Sequence, residues 1–591
     1  MKKNILSITG IVSLLIFVSC EDFLERSPKT SITATDYFKT ASDLETYSNR
    51  FYQELISPAF DDVGSDNVTI STNANTMYTM VNSDGVSSSN IGDWNISDWS
   101  QLRRINYMLD NIHPENMNIA DVDLNHFIGI ARFFRGDYYY KKVKRYNEVP
   151  FYNRALNDTD EDLYKPSDSR ESVVDSVISD LEFAAAHIKP NLGQRTRLNQ
   201  YAALALLARV CLYEATYRKY HTELGLAASA NTFFDKAITA CRKIMDAGLF
   251  DLYGSSAADY GALFCMSKLR DNREILMFVE YDRTLGRGNN AHTVLGGYTG
   301  YWGLSRSLME DYQMKDGSKF NYVKPDGTYK TYVELFENRD PRMAETFAYP
   351  GFNISPEIEG HSPHIPKITY GGLDQLKFFP KETSQRMGWG MNYTSLPLVR
   401  YAVVIVIYAE AKAETGALTQ TDLDQSVNRI RNRVGMPPVQ LSANVLEDIR
   451  RERRIELACE GFRLDDVKRW AKGPELMGAQ PQGIYIQGYG AYDVTGDGVP
   501  DVAILRKSGD LSPIEHLPAE LQAKLEKEYL YDANNNRTSI YLSNEGGESG
   551  FMQFVTSEKR KWEDRFYYIP IPKQQLLLNP NLKQSPGWAD K

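Results

Sequence analysis

The stretch NQYAALALLARVCLYEATYRK, residues 199–219, constrains the fold of this chain more than any other. No Gly or Pro interrupts it. Ala203, Ala205, Ala208 and Ala215 are interleaved with Leu204, Leu207 and Leu212, which gives a helix whose small residues let a second helix pack closely. TFFDKAITACRKIMDAG (232–248) supplies the second half of a hairpin, with Gly248 as its C-terminal stop. A similar pair recurs at VIYAEAKAETG (406–416) and DLDQSVNRIRNRVG (422–435). Helix pairs with Ala at the contact points, repeated without a strict 34-residue period, predict tetratricopeptide-like packing. The expected fold class is therefore mostly α: a tetratricopeptide-like frame of helical hairpins carrying long loop-rich insertions on one side.

Periodicity predicts further helices over 41–57, 122–145 and 171–188, and one capped by Asp98 that runs to about Ile112. Between the first two of these, 58–93 is rich in Ser, Asn, Thr, Asp and Gly and reads as a long loop of the kind that often carries function. Residues 251–400 and 474–560 are rich in Gly, Pro and Tyr and read as insertions of loops, short helices and strands.

The first twenty residues are of another kind. Lys2 and Lys3 precede an apolar run, Ile5 to Val18, which is too short to span a bilayer and reads as a secretory signal. Ser19 and Cys20 end it as a lipoprotein signal ends, so residues 1–19 are expected to be removed and Cys20 to carry the lipid, with 20–40 as a tether. The apolar run YAVVIVIYAEAK (401–412) meets acids after about eight residues and reads as a buried helix. A formal charge of -10 argues against a nucleic-acid partner. Cys211, Cys241 and Cys459 lie in helical patterns as small hydrophobes, and no Cys/His spacing suggests zinc.

DIRRERRIELACEGFRLDDVKRW (448–470), preceded by NRIRNRVGMPPV (428–439) and followed by the ending YYIPIPKQQLLLNPNLKQSPGW (567–588), resembles the signature of the RagB/SusD family of outer-membrane nutrient-binding lipoproteins. The start CEDFLE fits as well, so the resemblance covers essentially the whole mature chain. It implies a helical region at 41–250, a ligand-binding insertion at 251–400 and a C-terminal region at 401–591 that contains a signature helix at 448–470. It also implies a cell-surface lipoprotein on the outer membrane that binds an oligosaccharide or other nutrient, without catalysis or a required cofactor. That ligand would pass to a SusC-like TonB-dependent transporter. The rival readings are a surface glycan hydrolase and a protein-binding scaffold.

In the signature, Glu452, Glu456 and Glu460 form an acidic stripe at spacing four, with Arg453 and Arg463 three residues from Glu456 and Glu460. Arginines around the stripe would tie this helix to neighbouring loops and lower the carboxylate pKa values, which argues against a general acid there. Candidate ligand-stacking aromatics are Trp94 and Trp99 beside the long loop, and Tyr298, Tyr301 and Trp302 in the glycine-rich GGYTGYWGLS (296–305). The alternative for these residues is that they plug the loops onto the frame. DVTGDGVPD (493–501) offers oxygens at Asp493, Thr495, Asp497 and Asp501 for a structural calcium, although Ile504 stands where a closing Glu would be. HSPH (361–364) reads as surface histidines.

Overall fold

A computed structural model describes residues 37–589 except 56–57, 72–75, 84, 93, 296–301, 359–360, 539, 545–546 and 555–559. Six helices build the first part of the frame: α1 Ala41–Leu55, α2 Ile96–Asp110, α3 Asp121–Tyr146, α4 Arg170–His187, α5 Gln200–Tyr220 and α6 Ala230–Asp246. After the insertion come α7 Tyr401–Glu414, α8 Val445–Glu456 and α9 Arg463–Arg469, and between α7 and α8 the expected helix over 422–435 is two short ones, Gln420–Asp424 and Val427–Arg433. Neighbours in this series pack on one another, α3 on α4, α4 on α5, α5 on α6, α6 on α7 and α7 on α8, while α1 and α2 lie against α3.

Small residues set the spacing, as the alanine pattern predicts. Ala202, Ala203, Ala205, Ala208 and Ala215 of α5 are all buried. On α3 the close approach comes from two glycines: a Cβ on Gly129 would lie 3.0 Å from Ile188, and one on Gly136 would lie 3.1 Å from Leu181. Helix starts are set by short polar caps. Asn199 accepts from the amides of Tyr201 and Ala202. Asn95, and not Asp98, caps α2, accepting from the Asp98 amide at 3.0 Å. Helix α7 is buried on every side, so its apolar run is core, and among the described residues no helix is long and apolar enough to cross a membrane.

A second core lies under the loop-rich segments and includes Phe264, Leu304, Phe378, Ile484 and Met552. Short sheets stitch distant segments together there. Strands β1 (Val68–Ser71) and β3 (Trp302–Leu304) pair antiparallel, as do β2 (Ile275–Val279) and β4 (Leu396–Arg400). In the late insertion β5 (Gln482–Ile486), β10 (Gly550–Gln553) and β9 (Tyr541–Leu542) form one sheet. A second sheet there holds β6 (Gly490–Tyr492), β7 (Val502–Lys507) and β8 (Glu526–Tyr531).

The signature differs from the expected single helix over 448–470. It breaks after Glu456, where Cys459 and Gly461 take φ of 64° and 74°, and helicity resumes in α9. The break is filled from the long polar segment. Asp62 accepts from the Cys459 amide at 2.7 Å and from the Gly461 amide at 3.0 Å. This part of the 58–93 stretch is therefore a structural clamp, with Asp62, Asp66 and Asn67 all buried.

Candidate functional site

The signature acids form the rigid centre from which the loops are hung. Glu456 is completely buried and accepts from Arg342 at 3.1 Å, Arg400 at 2.8 Å and Arg433 at 2.8 Å. Glu452 accepts from Arg342 and Arg431, and Glu460 from Arg400 and Lys377. The compensating charges are thus not the sequence neighbours Arg453 and Arg463. Those two turn elsewhere, Arg453 to Asp466 and Arg463 to Asp66. Burial raises the Glu456 carboxyl, but the surrounding guanidiniums outweigh it and hold the group far below the usual carboxylate range, the opposite of what a general acid needs.

Trp94 and Trp99 come together. Their ring centroids are 5.1 Å apart, and Trp94 also meets Tyr146 edge-on at 4.8 Å. Beneath them the buried Lys142 ammonium lies 5.1–5.6 Å from the rings of Trp94, Trp99, Tyr138 and Tyr146, and it is ion-paired with Asp98. Burial lowers the lysine's pKa and the Asp98 charge opposes this.

The two indoles open onto a cleft of about 440 Å³, which Tyr152, Tyr164, Arg103 and Arg154 also line. One wall is the chain 150–156, held by Asn106, whose amide donates to the carbonyls of Tyr152 and Arg154. Gln575, Leu578, Asn579 and Leu582 also line the cleft, and next to them the Asn581 amide donates to the Tyr164 carbonyl at 2.7 Å. Trp94 itself is only 5% exposed, whereas Tyr164 is 54% exposed at the rim. An open cleft that combines flat aromatic faces with arginine and amide donors can stack a ring and hydrogen-bond its hydroxyls.

Trp302 contradicts the expectation of an exposed indole. It is 5% exposed, and its Nε1 donates to Gln375 Oε1 at 3.0 Å inside the second core. The neighbouring Gly303 serves a close backbone approach: a Cβ there would lie 1.9 Å from the Tyr370 carbonyl oxygen. Tyr298 and Tyr301 lie outside the described residues, as does Cys20.

The bare indole belongs to Trp389, which sequence reading missed. It is 71% exposed, flanked by Met387 and Met391 at 51% and 39%. The signal was present in RMGWGMNY, where Gly388 and Gly390 bracket the tryptophan. An antiparallel bridge between Asn289 and Asn392, with Asn290 accepting from the Gly390 amide, holds this loop against the 282–290 turn.

At the proposed calcium loop the carboxylates are engaged by the loop's own amides. Asp501 accepts from Val494 and Thr495, Asp493 from Gly496 and Gly498, and Asp497 from Val499. Among the described residues no group of three His, Cys, Asp or Glu side chains is placed to hold a metal, and the loop's aspartates turn the chain through its own amides. His364 is buried and hydrogen-bonds Asp374 through Nε2, against the surface reading, while His361 is exposed. Cys211, Cys241, Cys265 and Cys459 are free thiols.

Comparison with known proteins agrees with this architecture. A family profile described as "SusD family" matches residues 273–588, and one described as "Starch-binding associating with outer membrane" matches residues 22–212. SusD-like protein P2 of Formosa agariphila is 25% identical over 515 residues, which cover 82% of this chain and 93% of that relative. A crystal structure of a SusD-like protein from Bacteroides fragilis superposes with a TM-score of 0.69 at 21% identity, over 95% of this chain and 100% of that one. A laminarin-binding SusD-like protein superposes at 0.58 with 18% identity, over 93% of this chain and 100% of that one. With more than half of its length matched by the family profile, and with the helical frame and signature in place, this chain belongs to the SusD family.

Proposed function

We propose that this protein binds a glycan at the outer face of the outer membrane and hands it to a SusC-like TonB-dependent transporter, held to the membrane by a lipid on Cys20. The observation that carries the reading is the open cleft of Trp94, Trp99, Tyr152 and Tyr164, set in a chain of the SusD family. The laminarin-binding neighbour and the starch-binding description of the N-terminal match support a carbohydrate ligand. The action is binding without bond-making. The signature carboxylates, Glu452, Glu456 and Glu460, are saturated by arginine and lysine.

A glycan array on the full-length protein, followed by titration of the best ligand into Tyr164→Ala, tests the assignment. The rim position of Tyr164 leads to an affinity loss of at least about tenfold with an unchanged melting temperature. Unaltered affinity in Tyr164→Ala and in Arg154→Ala would place the ligand elsewhere.

A further inference from the structure

Two tight hairpins stand side by side in the loop-rich part of the molecule. A bridge between Asp282 and Arg287 closes one, with Leu285 in its turn, and a bridge between Arg386 and Asn392 closes the other, with Trp389 in its turn. Their flanks touch. A Cβ on Gly288 would lie 2.1 Å from the Gly390 carbonyl oxygen, and the Gly390 amide donates to Asn290. The tips themselves project into open space, because a Cβ added at Gly286 or at Gly390 would meet nothing within 4 Å. Leu285, 78% exposed, joins the exposed Met387, Trp389 and Met391, so four large apolar side chains gather at one convex place.

The charge of these tips is opposite to that of the chain. The protein carries a formal -10, yet Arg283 and Arg287 stand on either side of Leu285 and both are exposed. Asp282 is the single acid of 282–290 and 386–392, and its carboxylate is taken up by the turn, accepting from the Thr284 and Leu285 amides at 2.7 and 3.2 Å. A protein partner matches this arrangement poorly, since four side chains on a convex point fall short of the roughly 800 Å² per side that a stable protein interface buries. A bilayer surface moulds around a projecting tip, accepts Trp, Leu and Met at the boundary of headgroups and acyl chains, and meets arginine with phosphate.

We infer that the paired tips are a membrane-touching point, at which Leu285, Met387, Trp389 and Met391 dip into the headgroup layer of an anionic lipid surface while Arg283 and Arg287 pair with its phosphates. The inference rests on the outer-membrane reading for a surface within reach and not on the aromatic cleft. The stretch from Cys20 to Tyr37 can extend to at most about 60 Å, so a lipid on Cys20 leaves the face turned to the bilayer to be set by contacts of this kind. The contact is weak and salt-sensitive, and it does not by itself hold an unlipidated chain to membranes through fractionation.

The test places the full-length protein on vesicles of phosphatidylglycerol and brominated phosphatidylcholine in equal parts, and on vesicles of brominated phosphatidylcholine alone. Bromine quenches an indole that enters the lipid, and Trp389 is the one exposed tryptophan among the described residues. The emission lost in Trp389→Phe gives the share of that indole. On the anionic vesicles this share should be quenched several-fold more than on the neutral ones, and high salt or Arg283→Gln combined with Arg287→Gln should remove the excess. Leu285→Asn, at an exposed tip, should weaken the quenching without moving the unfolding midpoint. Quenching that is absent, or equal on both vesicles and indifferent to the arginines, overturns the inference. An emission shift produced by a purified SusC-like barrel or by a glycan, with none from vesicles, overturns it as well and assigns the tips to that partner. Flotation of the parent and of Cys20→Ala reads the lipid anchor separately, so a failed anchor together with quenching that persists at higher lipid concentration leaves the tips standing.

Discussion

Arg400 and Glu456 are 56 residues apart in the chain and 2.8 Å apart in the fold, Nη1 to Oε1, with both side chains buried. Arg400 precedes the first residue of α7 and Glu456 ends α8, so this contact locks the late hairpin against the signature. Arg400 also reaches Glu274 and Glu460, which makes it the hub between the helical frame and the strand that enters the second core.

Glu456→Gln leaves the guanidiniums of Arg342, Arg400 and Arg433 without their shared carboxylate. Breaking a buried pair from one side costs about 3–5 kcal/mol. Urea unfolding should show that loss for Glu456→Gln, whereas Lys236→Ala, at a partly exposed ion pair, should scarcely move the curve. A midpoint for Glu456→Gln close to that of the parent would mean the cluster adds little to stability.

Lys468 gives the protein a rising stability on the alkaline side. Its ammonium is buried, and burial lowers its pKa from 10.5 to about 7 against the opposing Asp465 charge. Nζ donates to the Tyr567 carbonyl at 3.0 Å. Between about pH 7 and 10.5 the unfolded chain therefore binds more protons at this residue than the folded one, so stability increases with pH there. Denaturation at pH 7, 8 and 9 should show the increase in the parent and a flatter dependence in Lys468→Met. Parallel slopes in the two proteins would exclude Lys468 as the cause.

Asp66 acts at the other end of the scale. Burial raises its carboxyl, but Arg463 and Arg454 outweigh this and hold it at about 2. A depressed carboxylate contributes stability above its ordinary pKa of 3.8 and loses it as pH falls toward 2. Asp66→Asn should be less stable than the parent at pH 6, and the gap should narrow as the pH is taken below 4. A gap that stays constant would show that the charge is not what Asp66 contributes.

Trp302 and Trp389 should separate cleanly. Truncating the buried Trp302 to Ala costs about 3–5 kcal/mol, while Trp389→Ala, at a 71% exposed site, leaves the unfolding midpoint in place. Thermal melts of the two variants side by side provide the check, and a large drop for Trp389→Ala would put that indole in a packed environment.

Cys20→Ala should yield a folded protein that no longer partitions into detergent or membranes, because the acyl chains on that thiol are the proposed anchor. Fractionation of cells expressing the variant reads this out. Membrane retention without any barrel partner present would locate the anchor elsewhere.

The hairpin frame was legible in the sequence because its cause is local. Alanine at Ala203, Ala205 and Ala208, an amide cap at Asn199 and a left-handed Gly248 act within one or two helical turns, so pattern reading finds them. The signature could be recognised as a string, and its acids understood as needing cations. Which cations they meet was settled only in three dimensions, where Arg342, Arg400 and Arg433 arrive from separate segments of the chain.

The aromatics show the same division. Glycine neighbours suggested a bare indole at Trp302, but Gly303 is needed there for a carbonyl that comes from Tyr370, and the same pattern at Trp389 does leave the ring in solvent. Whether a glycine exposes its neighbour or admits another strand depends on what packs across from it. That is a long-range property that no window of sequence contains, whereas helix period and capping are fixed within the window itself.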